Sequence, residues 1–371
     1  MLLGMRRFFS VAILLLAFDA RVFAQGGNAE NEPSPRCKEY LKTPLPDEAA
    51  TVPAPKAWPD CDSHKLYSGI GSPVDFVAAR KCAWSERLAS QAGFEPRYTV
   101  ASIFGGAPML TVLYANGEGV DKNLPLALRF ACEASGAPAE VSTRLDHIES
   151  LGTRIAIGDE KLNFCNDITS GFMEGFCAAS VSELADQKRS RSLDAISAQM
   201  SPVQREAFLQ LVDKEEAYSR AHAIGEIDLS GTARAVFQID AEQTLRDDFL
   251  AALQSFEAGK TPVGSVRIYR NADARMNSAY HKALDNARAH RREYGAVQPS
   301  GIRNAERVWL RYRNAWKTFA KLHYPGVLPE AWLILLTNDR TSILDGSFCD
   351  MDAVDGPCVQ QGDTWKPSPL P

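Results

Sequence analysis

Two kinds of residue in this chain have the types and spacing to do chemistry: its cysteines and its charges. There are eight cysteines and six histidines. No Cys-x-x-Cys occurs and no Cys/His cluster has the spacing of a zinc site, so no metal and no other cofactor is expected. An even number of cysteines reads as disulfides. Cys165 with Cys177 and Cys349 with Cys358 each close a short loop beside a helix. Cys61 and Cys82 flank the Gly69–Pro73 turn almost symmetrically, so antiparallel helices would set them side by side and leave Cys37 for Cys132. Cys37–Cys61 with Cys82–Cys132 is the open alternative, since connectivity does not follow from sequence.

A catalytic constellation is harder to assemble. There is no Gly-x-Ser-x-Gly elbow, no His-Glu-x-x-His and no phosphate-cradling glycine loop. Asp273 and Glu306 have the chemistry of a carboxylate pair, as glycoside hydrolysis requires. On separate helices rich in arginine, however, they read as salt-bridge partners. His323 ends an apolar stripe and reads as a core or helix-end histidine. The expectation is a protein that is not an enzyme.

Charge is distributed unevenly. The chain carries 41 Lys+Arg against 46 Asp+Glu, a net charge of −5. Residues 261–348 carry 14 Lys+Arg against 7 Asp+Glu, whereas residues 161–260 carry 10 against 16. Arg303, Arg307 and Arg311 recur every four residues and form a row on one helix face. Asp213, Glu215 and Glu216, with Glu226 nearby, form the acidic counterpart. The basic row suits an acidic protein or an anionic envelope polymer, and the acidic cluster suits a basic protein partner. Solvated helix faces, or faces docked on one another, are the plainer reading of both. A net-acidic chain is a poor nucleic-acid binder.

The elements that must carry these residues are helices. Ile302, Ala305, Trp309, Tyr312, Trp316, Phe319 and His323 alternate at three and four, which builds one apolar stripe. The aromatic members of that stripe, with Trp332, read as core rather than as a sugar-stacking surface. Pro325-Gly326 stops this helix, and Pro329 opens the next, with Trp332, Leu335, Leu336 and Ile343. Ala272, Met276, Ala279, Ala283 and Ala287 form the helix before it. Residues 161–260 repeat the plan. A helix from about Ser180 to Ala198 is followed by one opened by the Ser201-Pro202-Val203-Gln204 capping box. A third, capped by Ser230 or Thr232, carries Phe237, Leu245, Phe249 and Leu253. No strand-period segment occurs, so the chain is all-α: a short helical-hairpin solenoid followed by two antiparallel three-helix modules.

The ends differ. Arg6-Arg7, the apolar run Phe8 to Phe18, and Val22-Phe23-Ala24 read as a signal peptide, residues 1–24. Its loss would leave a mature charge of −7. No later stretch is long and apolar enough for a transmembrane helix, so a periplasmic or secreted protein is expected. Residues 25–60 are Pro-rich and read as a linker or an arm pinned by Cys37; 349–371 is a similar tail. Between them lie a helical-repeat domain at 61–158 and the modules at 161–260 and 261–348.

In the repeat domain, Leu113-Tyr114-Ala115-Asn116-Gly117-Glu118-Gly119-Val120 precedes a helix from Pro125 to Ala134. An earlier copy runs Leu66 to Gly71, then Asp75 to Glu86. This punctuation resembles the tetratricopeptide-like repeats of the Sel family, which implies a protein-binding scaffold. Ala272 to Asn277 with Tyr280, Ala305 to Trp316 with its Trp-Leu-x-Tyr-Arg core, and Leu336 to Arg340 resemble the lysozyme-inhibitor LprI-like N-terminal domain. Where that family has a Cys shortly after the Arg, this chain has Trp316 and Lys317. Cys165 and Cys177 are similar to the pair before the family's first helix, so residues 161–260 read as a degenerate second module. The resemblance implies envelope binding, with a lysozyme or peptidoglycan hydrolase as the partner.

Overall fold

The computed structural model describes residues 33–96, 99–134, 136–153 and 161–346. The expected signal peptide and the Cys349–Cys358 pair lie outside them. The described residues hold thirteen α-helices and no strand.

The N-terminal helices are short: α1 Pro35–Tyr40, α2 Ser63–Ser68, α3 Phe76–Gln91, α4 Val100–Phe104, α5 Ala107–Asn116, α6 Leu124–Glu133 and α7 Pro138–Thr153. Side-chain caps start several of them, because the first turn of a helix leaves N–H groups without partners. Asp75 accepts from Ala78 N at 2.8 Å and Asn123 from Leu126 N at 3.1 Å. Gly117, at φ 71°, ends α5 in the left-handed conformation. Gly119 (φ 66°) passes so close to Phe76 that a Cβ there would lie 2.6 Å from its carbonyl carbon. The two glycines of the turn thus have separate reasons, backbone angle and close approach. Trp84, Leu110, Leu113, Phe130, Leu145 and Ile148 form the core.

Residues 33–60 lie against these helices. Cys37 is buried and bonded to Cys132, and Arg129 Nη1 donates to the carbonyls of Leu41 (2.6 Å) and Thr43. Glu48 accepts from Trp84 Nε1 at 3.0 Å and from the Tyr114 hydroxyl. The other bridges among the described residues are Cys61–Cys82 and Cys165–Cys177.

Six longer helices follow: α8 Gly171–Ala198, α9 Pro202–Gly225, α10 Arg234–Glu257, α11 Val266–His290, α12 Pro299–His323 and α13 Pro329–Gly346. They form two trios with one packing plan. In each, the first and third helices run parallel and in contact, joined through the antiparallel second. Arg189 of α8 meets Asp247 of α10 at 2.7 Å, and Arg275 of α11 meets Asn338 of α13 at 3.1 Å. The two second helices, α9 and α12, lie antiparallel against one another. Gly225 and Gly301 touch at one end, where a Cβ on Gly301 would fall 2.3 Å from Gly225 O. Gln204 Nε2 donates to Leu322 O at 3.0 Å at the other.

One hydrophobic core therefore serves both trios. Trp309, Tyr312, Trp316, Phe319 and Trp332 are all buried. Tyr312 stacks on Tyr218 of α9, Phe319 packs on Phe208, and Trp316 meets Phe249 and Phe256 of α10.

Three sequence expectations need correction. Helix α8 begins at Gly171 rather than near Ser180, with Cys177 inside it. Neither Ser230 nor Thr232 caps α10, whose N-cap is Ala233 with no side-chain cap. That segment instead docks: Leu229 N donates to Gly295 O at 2.9 Å, and Thr232–Ala233 press on Gly171. Tertiary contact here outweighs local capping preference. The third correction concerns Glu215 and Glu226, which are not on the surface.

Candidate functional site

The polar residues of α9 divide by helical position. Glu206, Asp213, Glu216 and Arg220 point to solvent, as does Leu209, which is 54% exposed. Pro202, Arg205, Glu206, Leu209, Gln210 and Asp213 line a shallow, open depression on this outer face. Asp213 also pairs with its neighbour Lys214 at 2.7 Å, an exposed contact of little energetic weight. The depression thus sets an apolar side chain between two carboxylates, the chemistry that receives a basic, partly apolar protein surface.

Glu215 belongs to the other face. It is 3% exposed and accepts a hydrogen bond from the Ser219 hydroxyl. Burial raises its pKa to about 7, against the pull of Ser219 and of the Arg246 and Arg189 charges. The acidic cluster expected from sequence therefore loses Glu215, whose carboxyl faces the α8–α10 side. Its spacing explains the placement: Phe208, Leu211, Glu215, Tyr218 and His222 follow the three-four period and are all buried.

Glu226 leaves the surface for a similar reason. It caps the C-terminal end of α9 at 1% exposure and takes two hydrogen bonds from Arg340 of α13, at 2.7 and 2.6 Å. Arg340, fully buried, also donates to Glu306 of α12 at 3.0 Å and to the Tyr218 hydroxyl at 3.3 Å. His222 Nδ1 lies 3.0 Å from Glu226. Burial opposes both charges, yet each holds the other ionised: the Glu226 pKa is lowered and the Arg340 pKa raised. Glu306 is thereby a partner of arginine, as the salt-bridge reading has it. Asp273 accepts from Asn277 on its own helix.

Arg340, as a buried ion-pair partner, is not among the sequence expectations. It shares an i, i+4 stripe with Trp332, Leu336 and Leu344, and an arginine inside such a stripe signals a buried acidic partner. His323 acquires a partner too, with Nε2 2.9 Å from Glu257 at the end of α10.

On α12 the outer face carries Arg303, Arg307, Arg311, Lys317 and Lys321, all exposed. Within this row, Arg307 Nη2 donates to Asn304 Oδ1 at 3.3 Å. The six residues expected to form binding faces thus separate into two exposed groups, Asp213 with Glu216 and the three arginines, and one buried carboxyl, Glu215.

Among the described residues no helix is long and apolar enough to cross a membrane, and no three His, Cys, Asp or Glu side chains are grouped to hold a metal ion. Residues 265–344, from the N-cap of α11 to the last turn of α13, match the family described as Lysozyme inhibitor LprI. The match covers well under half of the chain. No curated protein and no solved structure matches it.

Proposed function

We propose that this chain is an exported, non-catalytic binding protein of the cell envelope that inhibits a lysozyme or another peptidoglycan hydrolase by covering part of its surface. The match of residues 265–344 to a lysozyme-inhibitor family carries this reading. Export is supported by the signal-like residues 1–24 and by three disulfides in a chain without free described cysteines. On this reading the mature chain comprises an arm, a Sel-type helical domain at 61–158 that can hold a second protein, and two related modules at 161–260 and 261–348.

The aromatic stripe of α12 is consumed by the core, so contact with a partner must use outer faces. The α9 face offers Leu209 as an apolar anchor between Glu206 and Asp213, with Glu216 beside them. Its charge complements a basic lysozyme and would raise the association rate at low salt. The test is a lysis assay in which the purified, oxidised protein is titrated against lysozyme at physiological salt. Inhibition saturating near one-to-one supports the reading. Glu206→Lys with Asp213→Lys should then raise the inhibition constant roughly tenfold or more, as charge reversal opposite a basic partner does. No inhibition at large excess removes the reading; unchanged inhibition by the double variant removes this face.

A second reading rests on the exposed basic row. Arg303, Arg307 and Arg311, exposed and without a carboxylate partner among the described residues, suit an anionic envelope polymer, in which case the protein is a scaffold rather than an inhibitor.

A further inference from the structure

Exposed aliphatic side chains are not spread evenly over the six long helices. Among the described residues 171–346, twelve large hydrophobic side chains are exposed, and six of them lie at one end: Val203, Val263, Val266, Ile268, Leu322 and Leu328. Three contacts bring their segments together. Gln204 at the start of α9 bonds to Leu322 near the end of α12. Glu257 at the end of α10 holds His323 and Tyr324, where α12 stops. Gly264, just ahead of α11, lies against the first turns of α13, where a Cβ on it would fall 2.3 Å from Ile334 Cδ1. This end is therefore built from the linker 258–265, the turn 324–328 and the helix termini beside them.

Val263 is 89% exposed and Leu328 60%, and both lie outside the helices, so their side chains stand out into solvent. Aliphatic side chains clustered in water mark a surface that meets something apolar. The charges beside them say what it is. Lys260, Arg267, Arg270 and Lys321 are exposed, and none has a carboxylate partner among the described residues. The acidic groups of the same stretches are withdrawn: Glu257 is held by His323 and the Tyr324 hydroxyl, and Glu330 is half-buried. Protruding aliphatics among unpaired cations complement an anionic lipid surface, whose phosphates take the cations and whose acyl boundary takes the aliphatics. A protein partner would need a concave apolar pocket fitted to two separate loops, whereas a bilayer interface yields around each side chain. No described helix is long and apolar enough to cross a membrane, so such a contact is interfacial.

We propose that this end of the six helices, led by Val263 and Leu328, inserts shallowly into an anionic membrane surface, with Lys260, Arg267, Arg270 and Lys321 at the level of the lipid phosphates. The helices run away from that end, so the outer faces of α9 and α12 stay open to the aqueous side. The attachment is independent of any hydrolase partner. Its electrostatic part weakens with salt, and its apolar part does not.

The experiment is sedimentation of the oxidised mature chain, residues 25–371, with sucrose-loaded vesicles and no lysozyme present. One set of vesicles is phosphatidylcholine containing phosphatidylglycerol, and the other is phosphatidylcholine alone. The parent should bind the anionic vesicles roughly tenfold or more tightly than the neutral ones, the effect of several cations near a charged surface. Val263→Ser with Leu328→Ser should weaken binding to the anionic vesicles roughly tenfold, because the apolar anchors are gone while the charge is kept. Lys260→Gln with Arg267→Gln should weaken it about as much at low salt and less at high salt. Val263→Trp gives a reading that does not rest on a loss: its emission, taken as the difference from the parent, should shift to the blue with anionic vesicles. No binding by the parent, equal binding to the two vesicle types, serine-variant binding equal to the parent's, or an unshifted tryptophan would each overturn the proposal. Pelleting of the parent without vesicles would make a second copy of the chain the occupant of this end, and would overturn it too.

Discussion

Residues 33–153 and residues 171–346 are both helical, yet they are held together differently. The first region has seven helices, none longer than 16 residues, and one or two turns in α1, α2 and α4. Helices that short cannot each bury a broad stripe. Two disulfides and two hydrogen-bonded carboxylates complete the region: buried Glu86 accepts from Ser63 and Gly106, and half-buried Glu48 from Trp84 and Tyr114. The second region has helices of 18 to 28 residues and contains no cysteine between Cys177 and Gly346. It relies on one aromatic core and on the Arg340–Glu226–Glu306 cluster at the seam of its two trios. Helix length decides the difference: long amphipathic helices bury enough surface alone, and short ones need cross-links.

The largest effect that would break this comparison is loss of Arg340. Arg340→Ala leaves Glu226 and Glu306 buried without their cation and should destabilise residues 171–346 by ~3–5 kcal/mol in urea unfolding. Arg340→Met with Glu226→Leu should recover much of that loss, because an apolar pair needs no compensating charge. Equal losses in the two proteins would show that packing, and not charge pairing, holds the seam.

Next in size is the Cys37–Cys132 bridge, whose residues are 95 apart in sequence. Cys37→Ser with Cys132→Ser should cost the N-terminal region ~2–4 kcal/mol. Differential scanning calorimetry should show that region melting earlier while the transition of residues 171–346 stays in place. A joint downward shift of both would mean that the two regions unfold as one.

The smallest effect sharpens the comparison inside the second region. The Glu215 carboxyl titrates near 7 when folded, above its value in an unfolded chain. Its contribution is therefore fully present below pH ~4.5 and is lost as pH rises through about 7. Glu215→Gln should leave stability almost unchanged at pH 5 and raise it by ~1–3 kcal/mol at pH 8. A gain independent of pH would place the cost in packing rather than in ionisation.

Much of the second region was legible because its periodicity is strong. The stripe from Ile302 to His323, the capping box at Ser201 and Gln204, and the stop at Pro325-Gly326 all appear in the structure. What periodicity does not contain is the identity of the covering helix. Nothing in the spacing of Trp309, Tyr312 and Trp316 says that α9 and α10 complete their core. The two buried carboxylates, Glu215 and Glu226, escape a reading by chain proximity for a related reason. Proximity along the chain groups both with Asp213, whereas helical position sends Asp213 outward and Glu215 inward. Read as a member of the stripe Phe208, Leu211, Tyr218 and His222, Glu215 is buried on pattern alone. The partner of Arg340 lies more than a hundred residues away, and only the fold brings it near.

The stretch that joins the two trios is exposed at its middle. It turns at Gly259, with φ at 85°, and exposes Val263 at 89% before α11 begins. Because α9 and α12 share a core and α9's cap grips α13, the two trios stay bound without the peptide bond between them. A protein cut at Val263 should behave as a non-covalent complex of two fragments, and two separately expressed chains should find one another through the same surface. Joining the two trios in one chain turns a concentration-dependent pairing into one that no dilution can undo.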